Sequence, residues 1–399
     1  MWKTWKEIRN LTKNRDIVFY GRSEDWIPRS VPHISAKFIV DSNKTLHESY
    51  YYDMKVCDPK LLNVEDKPFV VITTGDYINI SEYLESIGYI PGNDFCPCPE
   101  YYDFKNLDDL RSIKFKCLIS SSDYTSGKAT RTSYYGGGIF ELINNGIEPE
   151  LIKKTDGQFR QLITKKDCFA AIEYTKSELQ WFDYNHNIID VFPLNHYQCC
   201  GLDQDSDKNI YISSSSTDII YIYDEKGKEL DQINFGTKSN EKASSFHHIN
   251  DLCVDDSYIY ISFFSNSGHW RQNIFDGGVK AIDKKTGHQE LLYQGLWQPH
   301  SPRLINGNLY IADSANGRLL KDTINSTGEF PGFIRGLDYK DDLVFLGQSE
   351  TMYTSRKKGL SKNIMNNSGL YIFDEESKAS RFFSTYGICN IHDLRVIEL

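Results

Sequence analysis

The feature that most constrains this chain is a recurring layout. A leucine opens a short apolar strand, an acidic or Asn-Gly turn follows, and a second apolar strand comes after it. The leucine anchors are Arg160-Gln-Leu162 before Lys165-Lys-Asp, Cys200-Gly-Leu202 before Asp205-Ser-Asp, and Asn250-Asp-Leu252 before Asp255-Asp-Ser. They continue as Pro302-Arg-Leu304 before Asn306-Gly and Arg335-Gly-Leu337 before Lys340-Asp-Asp. A sixth anchor, His392-Asp-Leu394, stands near the C-terminus with no strands after it. Second strands read Cys168-Phe-Ala-Ala-Ile, Ile210-Tyr-Ile-Ser, Ile259-Tyr-Ile-Ser, Leu309-Tyr-Ile-Ala and Leu343-Val-Phe-Leu-Gly, and third strands such as Ile220-Tyr-Ile-Tyr and Gly369-Leu-Tyr-Ile-Phe follow. Four short strands per unit, repeating every roughly 35 to 50 residues, is the pattern of a β-propeller blade.

The stretch after residue 112, with Cys117-Leu-Ile-Ser and Gly138-Ile-Phe-Glu-Leu, has later strands but no anchor of its own. Pairing it with the last anchor predicts six blades over residues 113–399, the ring closed by the C-terminal strand. Closure would remove two exposed sheet edges. The 26 Tyr and 22 Phe among 399 residues suit this class, since aromatic rings pack well on pleated surfaces.

Residues 1–112 follow another rule. Asp16-Ile-Val-Phe-Tyr-Gly21 is a strand running into glycine, Ala36-Lys-Phe-Ile-Val-Asp41 a strand ending in an acid, and Pro68-Phe-Val-Val-Ile-Thr-Thr-Gly75 an unbroken apolar run of the kind buried in parallel sheets. Ile80-Ser-Glu-Tyr-Leu-Glu-Ser-Ile-Gly88 reads as an amphipathic helix stopped by glycine. The whole is therefore expected to be α/β plus all-β, a small Rossmann-like domain followed by the propeller. Met1-Trp-Lys-Thr-Trp-Lys-Glu-Ile-Arg reads as a short amphipathic helix, without the apolar core of a signal peptide.

Strand-glycine followed by a Val-Asp-x-Asn turn resembles the Rossmann-like domains attached to bacterial surface-polysaccharide enzymes, such as the N-terminal domain of nucleotide-sugar acetyltransferases. The resemblance covers about a quarter of the chain. It implies a nucleotide-sugar site at Gly21, Asp41 and Asn43, and partners in polysaccharide biosynthesis. Gly21-Arg-Ser-Glu-Asp-Trp26 departs from the Gly-x-Gly pattern, lacking the second glycine and placing two acids beside the phosphate position. A degenerate scaffolding domain is the competing reading.

In a propeller the first strand of each blade lines the axis, so residues just before the anchors converge on one mouth. His248 and His300 each stand four before their leucines and are predicted to be equivalent. Asn250, His392, Arg160 and Arg335 stand two before, and Arg303 and Asp393 one before. Imidazole can act as base or metal ligand, and arginine's planar fork suits carboxylate or phosphate. His248, His300, His392, Arg303 and Arg335 are thus the catalytic candidates, with Arg160, Asn250 and Asp393 as substrate-binding ones. A divalent metal, if bound, would fall to the three histidines. His247 is expected to point away from His248. The insertion Asn266-Ser-Gly-His-Trp-Arg-Gln-Asn273 offers Trp270 and Arg271 as a cap over the mouth, and a second insertion, residues 350–365, carries Arg356-Lys-Lys.

Pro299-His-Ser-Pro-Arg303, Gly332-Phe-Ile-Arg-Gly-Leu337 and Gly277-Gly-Val together resemble an uncharacterised bacterial β-propeller family over residues about 197–399. That resemblance implies the fold and no reaction. A net charge of −10 with dispersed Lys and Arg gives no electrostatic footprint for nucleic acid. The longest apolar runs fall far short of the ~20 residues of a membrane span. Nine cysteines without framework spacing point to reduced thiols in a cytoplasm. Two functions stay open: an acid–base enzyme on an anionic sugar or nucleotide-sugar, and a non-catalytic module that captures a glycan or protein.

Overall fold

The structure, a computed structural model, describes the chain apart from residues 128–130, 147, 237–244 and 352–362. It divides into two compact units, Met1–Asp109 and Leu110–Leu399. The second insertion's Arg356-Lys-Lys lies outside the described residues.

The first unit is a six-stranded mixed sheet. Its strands are β1 (Ile17–Tyr20), β2 (Phe38–Val40), β3 (Tyr50–Tyr51), β4 (Met54–Cys57), β5 (Phe69–Ile72) and β6 (Phe95–Pro97), in the order β3-β4-β2-β1-β5-β6. Every pairing from β4 to β6 is parallel, and only β3 runs antiparallel, as a hairpin with β4. Val70, Val71 and Ile72 are fully buried, as an apolar run covered on both faces must be. Helix Trp5–Leu11 starts at a capping box in which Thr4 and Glu7 satisfy each other's orphan backbone donors. Helix Tyr77–Ser86 buries Tyr77, Ile80 and Leu84 against the sheet. Cys96 and Cys98 are both buried in the core, Cys98 beside the Ser30 hydroxyl at 3.2 Å.

The second unit is a six-bladed propeller. Five four-stranded antiparallel sheets follow one another in sequence, beginning with Phe159–Thr164, Cys199–Gln204, Ile249–Val254, Pro299–Ile305 and Phe333–Lys340. We call these blades two to six. In the remaining sheet, blade one, the C-terminal strand Asp393–Glu398 pairs antiparallel with Phe115–Ser121, followed by Gly138–Asn144 and Pro149–Asp156. In blade five the Asn306-Gly307 turn joins the first two strands with positive φ at both residues (50° and 80°), the geometry that matches strand twist in a two-residue hairpin. Among the described residues no helix is long and apolar enough to cross a membrane.

The anchor leucines explain the repeat. Leu162 packs with Leu118 and Ile139 of blade one, and Leu252 with Tyr211 and Ile220 of blade three. Leu337 packs with Tyr310 and Leu319 of blade five. Each anchor thus seals its blade onto the preceding one, and burying each such side chain contributes about 1.5–3 kcal/mol.

Between blades one and two, Glu141 (3% exposed) holds Lys116 at 2.8 Å, Lys154 at 2.9 Å and His186 at 2.9 Å. Burial alone would raise its pKa, but these three partners outweigh it and bring the carboxyl to about 2. A depressed carboxyl stabilises the fold above its unfolded value and loses that contribution as pH falls toward the folded one. Glu141→Gln is therefore expected to cost on the order of 1–3 kcal/mol near neutrality. In urea unfolding the gap to wild type should narrow steadily below about pH 4.5. A gap that does not change with pH would contradict the assignment.

Candidate functional site

A cavity of about 290 Å³ opens at one end of the propeller axis. Its polar ring comes from the residue two before the anchor position in each blade: His392, Arg160, Cys200, Asn250, His300 and Arg335, in order around the axis.

The strand register corrects one sequence expectation here. Leu252 faces Ile261 across its hairpin, and Cys253 faces Tyr260. In blade five Arg303 faces Tyr310 and Leu304 faces Leu309, so Pro302 rather than Leu304 takes the anchor place. His300 is therefore the equivalent of Asn250, not of His248. The true counterpart of His248 is Gln298, and of both Gln198; all three line the cavity and have φ near +50° (54°, 51° and 54°). The slip is natural, because side chains alternate with period two and a two-residue shift keeps the same face inward.

Arg303 and Asp393 also need correction. They do not line the cavity; both are buried beneath it, with Arg303 Nη2 donating to Asp393 Oδ2 at 2.7 Å. The same carboxylate oxygen accepts the Leu162 N–H at 2.9 Å. Beside them, Gln161 donates to the Leu252 carbonyl at 2.7 Å and accepts from Leu202 N–H at 3.0 Å. Asp251 accepts the Ser301 N–H at 3.0 Å and Arg335 Nη2 at 3.2 Å. At the same level a Cβ on Gly201 would stand 2.5 Å from the Asn250 carbonyl oxygen, so no side chain fits there. These bonds cross the axis from blade to blade and floor the cavity, which makes it a blind pocket rather than a channel.

His392 is set against a cation. Arg160 Nη1 lies 2.9 Å from both of its ring nitrogens, a placement that disfavours the charged imidazolium. Its Nε2 meets the Ser122 hydroxyl at 2.5 Å. In His300, Nε2 faces Asn250 Nδ2 at 3.0 Å and Nδ1 faces the Ser314 hydroxyl at 2.9 Å. Burial first, then neighbouring arginines, hold both imidazoles well below the usual histidine range. His248 differs. Its Nδ1 is enclosed with no hydrogen-bond partner among the described residues, and the ring leans on Trp270 at 4.3 Å and Phe264 at 4.5 Å. Burial, then Arg160 and Arg335, bring it down to about 3.

Arg160 is the electrostatic centre. It is 7% exposed, stacks on Tyr174 at 4.1 Å and has no carboxylate partner among the described residues. Its Nε and that of Arg335 are buried without acceptors. Burial depresses the guanidinium to about 10, a sign of how poorly its charge is compensated.

This donor set does not suit a divalent metal. His300 and His392 already hold partners on their ring nitrogens, and two guanidiniums repel a cation. Among the described residues no cluster of three His, Cys, Asp or Glu is placed to hold one. The metal reading on His248, His300 and His392 is thus not supported.

Trp270 lines the cavity on a short 3-10 turn, Trp270–Gln272, its Nε1 donating to the Ser245 carbonyl at 3.2 Å. Arg271 does not; it lies over the Trp270 ring at 5.4 Å and borders adjoining clefts. His247 faces one of those clefts, with Nδ1 at 2.8 Å from the Ser265 carbonyl. Lining residues that the sequence reading missed include Cys200, Tyr174, Gln198, Phe264, Trp297 and Phe333. Cys200 was legible by the two-before-leucine rule. Tyr174 and Phe264 each directly follow a second strand, a second line of positions that enters the same mouth.

In the first unit, Gly21 takes φ +99° where a Cβ would collide with Thr74 Cγ2 at 2.6 Å. Asp41 accepts the backbone N–H of Arg22 at 2.7 Å and of Asn43 at 2.8 Å, and Asn43 Oδ1 accepts Thr45 N–H at 3.1 Å.

A domain of unknown function, DUF4915, matches residues 239–398. No curated protein sequence matches the chain. Among solved structures, the chain is similar to one in a nidogen/laminin complex at 9% identity and TM-score 0.49, covering 71% of this chain and 98% of that one. It is also similar to a protein of unknown function from Bacteroides caccae at 12% identity and TM-score 0.43, covering 71% and 99%. The calcium-binding protein regucalcin from Agrobacterium tumefaciens gives 13% identity and TM-score 0.41, covering 58% and 75%.

Proposed function

We propose that the propeller cavity binds a small organic anion, a sugar acid or related compound, and performs acid–base chemistry on it. The observation that carries this is Arg160, a buried guanidinium without an acid beside it among the described residues. An unpaired buried charge costs several kcal/mol, which an incoming anion offsets. Arg160 and Arg335 hold the anionic group. The amides of Gln198, Gln298 and Asn390 meet hydroxyls, and the rings of Trp270, Trp297 and Phe333 meet the C–H faces of the same ligand. His248, neutral and with an unengaged Nδ1, is the acid–base group. His392 and His300 position Arg160 and Asn250 rather than move protons.

His248→Gln is expected to lower turnover by about 10²- to 10⁴-fold while leaving anion binding intact. Because the imidazole is held far below 6.5, wild-type kcat/KM should lack the usual loss of a histidine base near that pH. The check is depletion of anionic metabolites from a cell extract, followed by mass spectrometry. If wild type consumes nothing that it binds, the second reading, a non-catalytic binding module, takes its place.

The ring is closed by the C-terminal strand, a reading supported by the pairing of Leu394 with Ile119. The first unit is Rossmann-like, supported by parallel order β4-β2-β1-β5-β6 with its reversal beside β1. There Gly21 and Asp41 stand at neighbouring strand ends, where a nucleotide-sugar would lie. Calorimetry with UDP-sugars should give a binding heat with a Kd in the micromolar-to-millimolar range, and a silent trace disposes of that site. Buried thiols such as Cys96, Cys117 and Cys253 suit a cytoplasmic setting beside polysaccharide-building enzymes.

A further inference from the structure

We infer that Asp251 sets the ligand's charge, so that the cavity takes a singly charged carboxylate in preference to a doubly charged phosphate. This rests on the anion-binding reading above and adds to it the class of anion. The charges around the cavity can be taken one at a time. At its rim, half-buried Arg131 and exposed Glu350 bring one charge of each sign. On the floor, Asp251 is 1% exposed and its Oδ1 accepts from Arg335 Nη2 at 3.2 Å. Its Oδ2 accepts the Ser301 N–H at 3.0 Å and the Ser301 hydroxyl at 3.3 Å, which pins the carboxylate under Arg335. Ser301 in turn accepts the Gly336 N–H at 2.9 Å, so the pair is tied into blades four, five and six. Arg335 is thereby neutralised from below, though its Nε stays unpaired.

Among the described residues that line the cavity, Arg160 alone is left without an opposite charge. A monoanion matches that single excess. A phosphate dianion brings a second negative charge into a cavity whose second guanidinium already has a carboxylate beside it, and like charges in a desolvated site repel strongly. Asp251 does not line the cavity, so it acts through Arg335 as a positioning and charge-setting residue.

The test is calorimetric titration of the full chain at about pH 8, where phosphate monoesters are dianionic. Two matched pairs of probes separate head group from body: glucuronate against glucose 6-phosphate, and benzoate against phenyl phosphate. Wild type should bind at least one carboxylate about tenfold or more tighter than its matched phosphate. Asp251→Asn, isosteric and still able to accept from Ser301, should shift that ratio toward phosphate by about tenfold. A purely structural role would weaken both members of a pair alike and leave the ratio unmoved, which overturns the proposal. So does tighter phosphate binding by wild type, a measurement that stands even if Asp251→Asn does not fold. If wild type ignores both members of both pairs while Arg160→Met changes nothing, the anion pocket itself fails and this inference with it. If carboxylate and phosphate bind equally, the pocket stands and only the charge assignment falls.

Discussion

Arg160→Met is expected to make the protein more stable, by up to about 4 kcal/mol before the loss at His392, while removing its affinity for anions. The guanidinium is taken out of water, set against Tyr174 and His392, and among the described residues has no carboxylate beside it. Replacing an ill-compensated buried charge with an apolar side chain of similar volume is often stabilising on that scale. Some of the gain is returned, because His392 then loses a donor, and an unmet buried acceptor costs about 1–3 kcal/mol. Methionine suits the gap because its flexible thioether adapts to irregular space. The measurement is the urea midpoint at unchanged slope. A variant less stable than wild type would mean that Arg160 is structural and that the cavity is not built around an anion.

Arg303→Met should do the opposite, destabilising by about 3–5 kcal/mol with anion binding unaltered in the folded fraction. The pair with Asp393 is buried on both sides, and Asp393 also caps the Leu162 N–H from the neighbouring blade. Removing the cation leaves a carboxylate in the propeller floor with Arg395 Nη2 at 3.7 Å as its nearest remaining charge. The double variant Arg303→Met with Asp393→Leu should recover a large part of the loss, since no charge is then stranded. If the single variant is near neutral in stability but loses ligand, Arg303 belongs to the binding machinery after all. Arg160 lines the cavity and Arg303 does not, so the two arginines are expected to respond oppositely to the same substitution.

Much of this was legible in the sequence, and the rest failed for identifiable reasons. The six anchors predicted the blades because each leucine has one job, sealing its blade on the last, and that job leaves a periodic mark. His392, Arg160, Asn250 and Arg335 were brought to one ring by the same arithmetic. Pro302 broke it: the anchor place in blade five carries no leucine, and Leu304, two residues on, faces the same way. His300 was therefore matched to the wrong neighbour, although it was rightly placed at the mouth. Depth was the second blind spot. Arg303 and Arg335 look alike in sequence, but one lies after its anchor on the floor and the other before its anchor at the cavity. The third was conformation. Nothing in the residue types shows that His248, Gln198 and Gln298 share a left-handed backbone that turns them inward. The first unit's strands were read from apolar runs, whereas β3, β4 and β6 are too short or too irregular to leave such a mark.

The central claim is that an uncompensated Arg160 makes this cavity an anion site. The most direct test is the melting temperature of wild type and Arg160→Met across a panel of small carboxylic acids near pH 8. A ligand present at about 100 times its Kd adds about 2.7 kcal/mol to the folded state, enough to move a melt by several degrees. The account predicts that at least one acid raises the wild-type melt and that none raises that of Arg160→Met, which itself melts higher than unliganded wild type. It is contradicted if no acid shifts wild type, or if the same acid shifts both proteins equally.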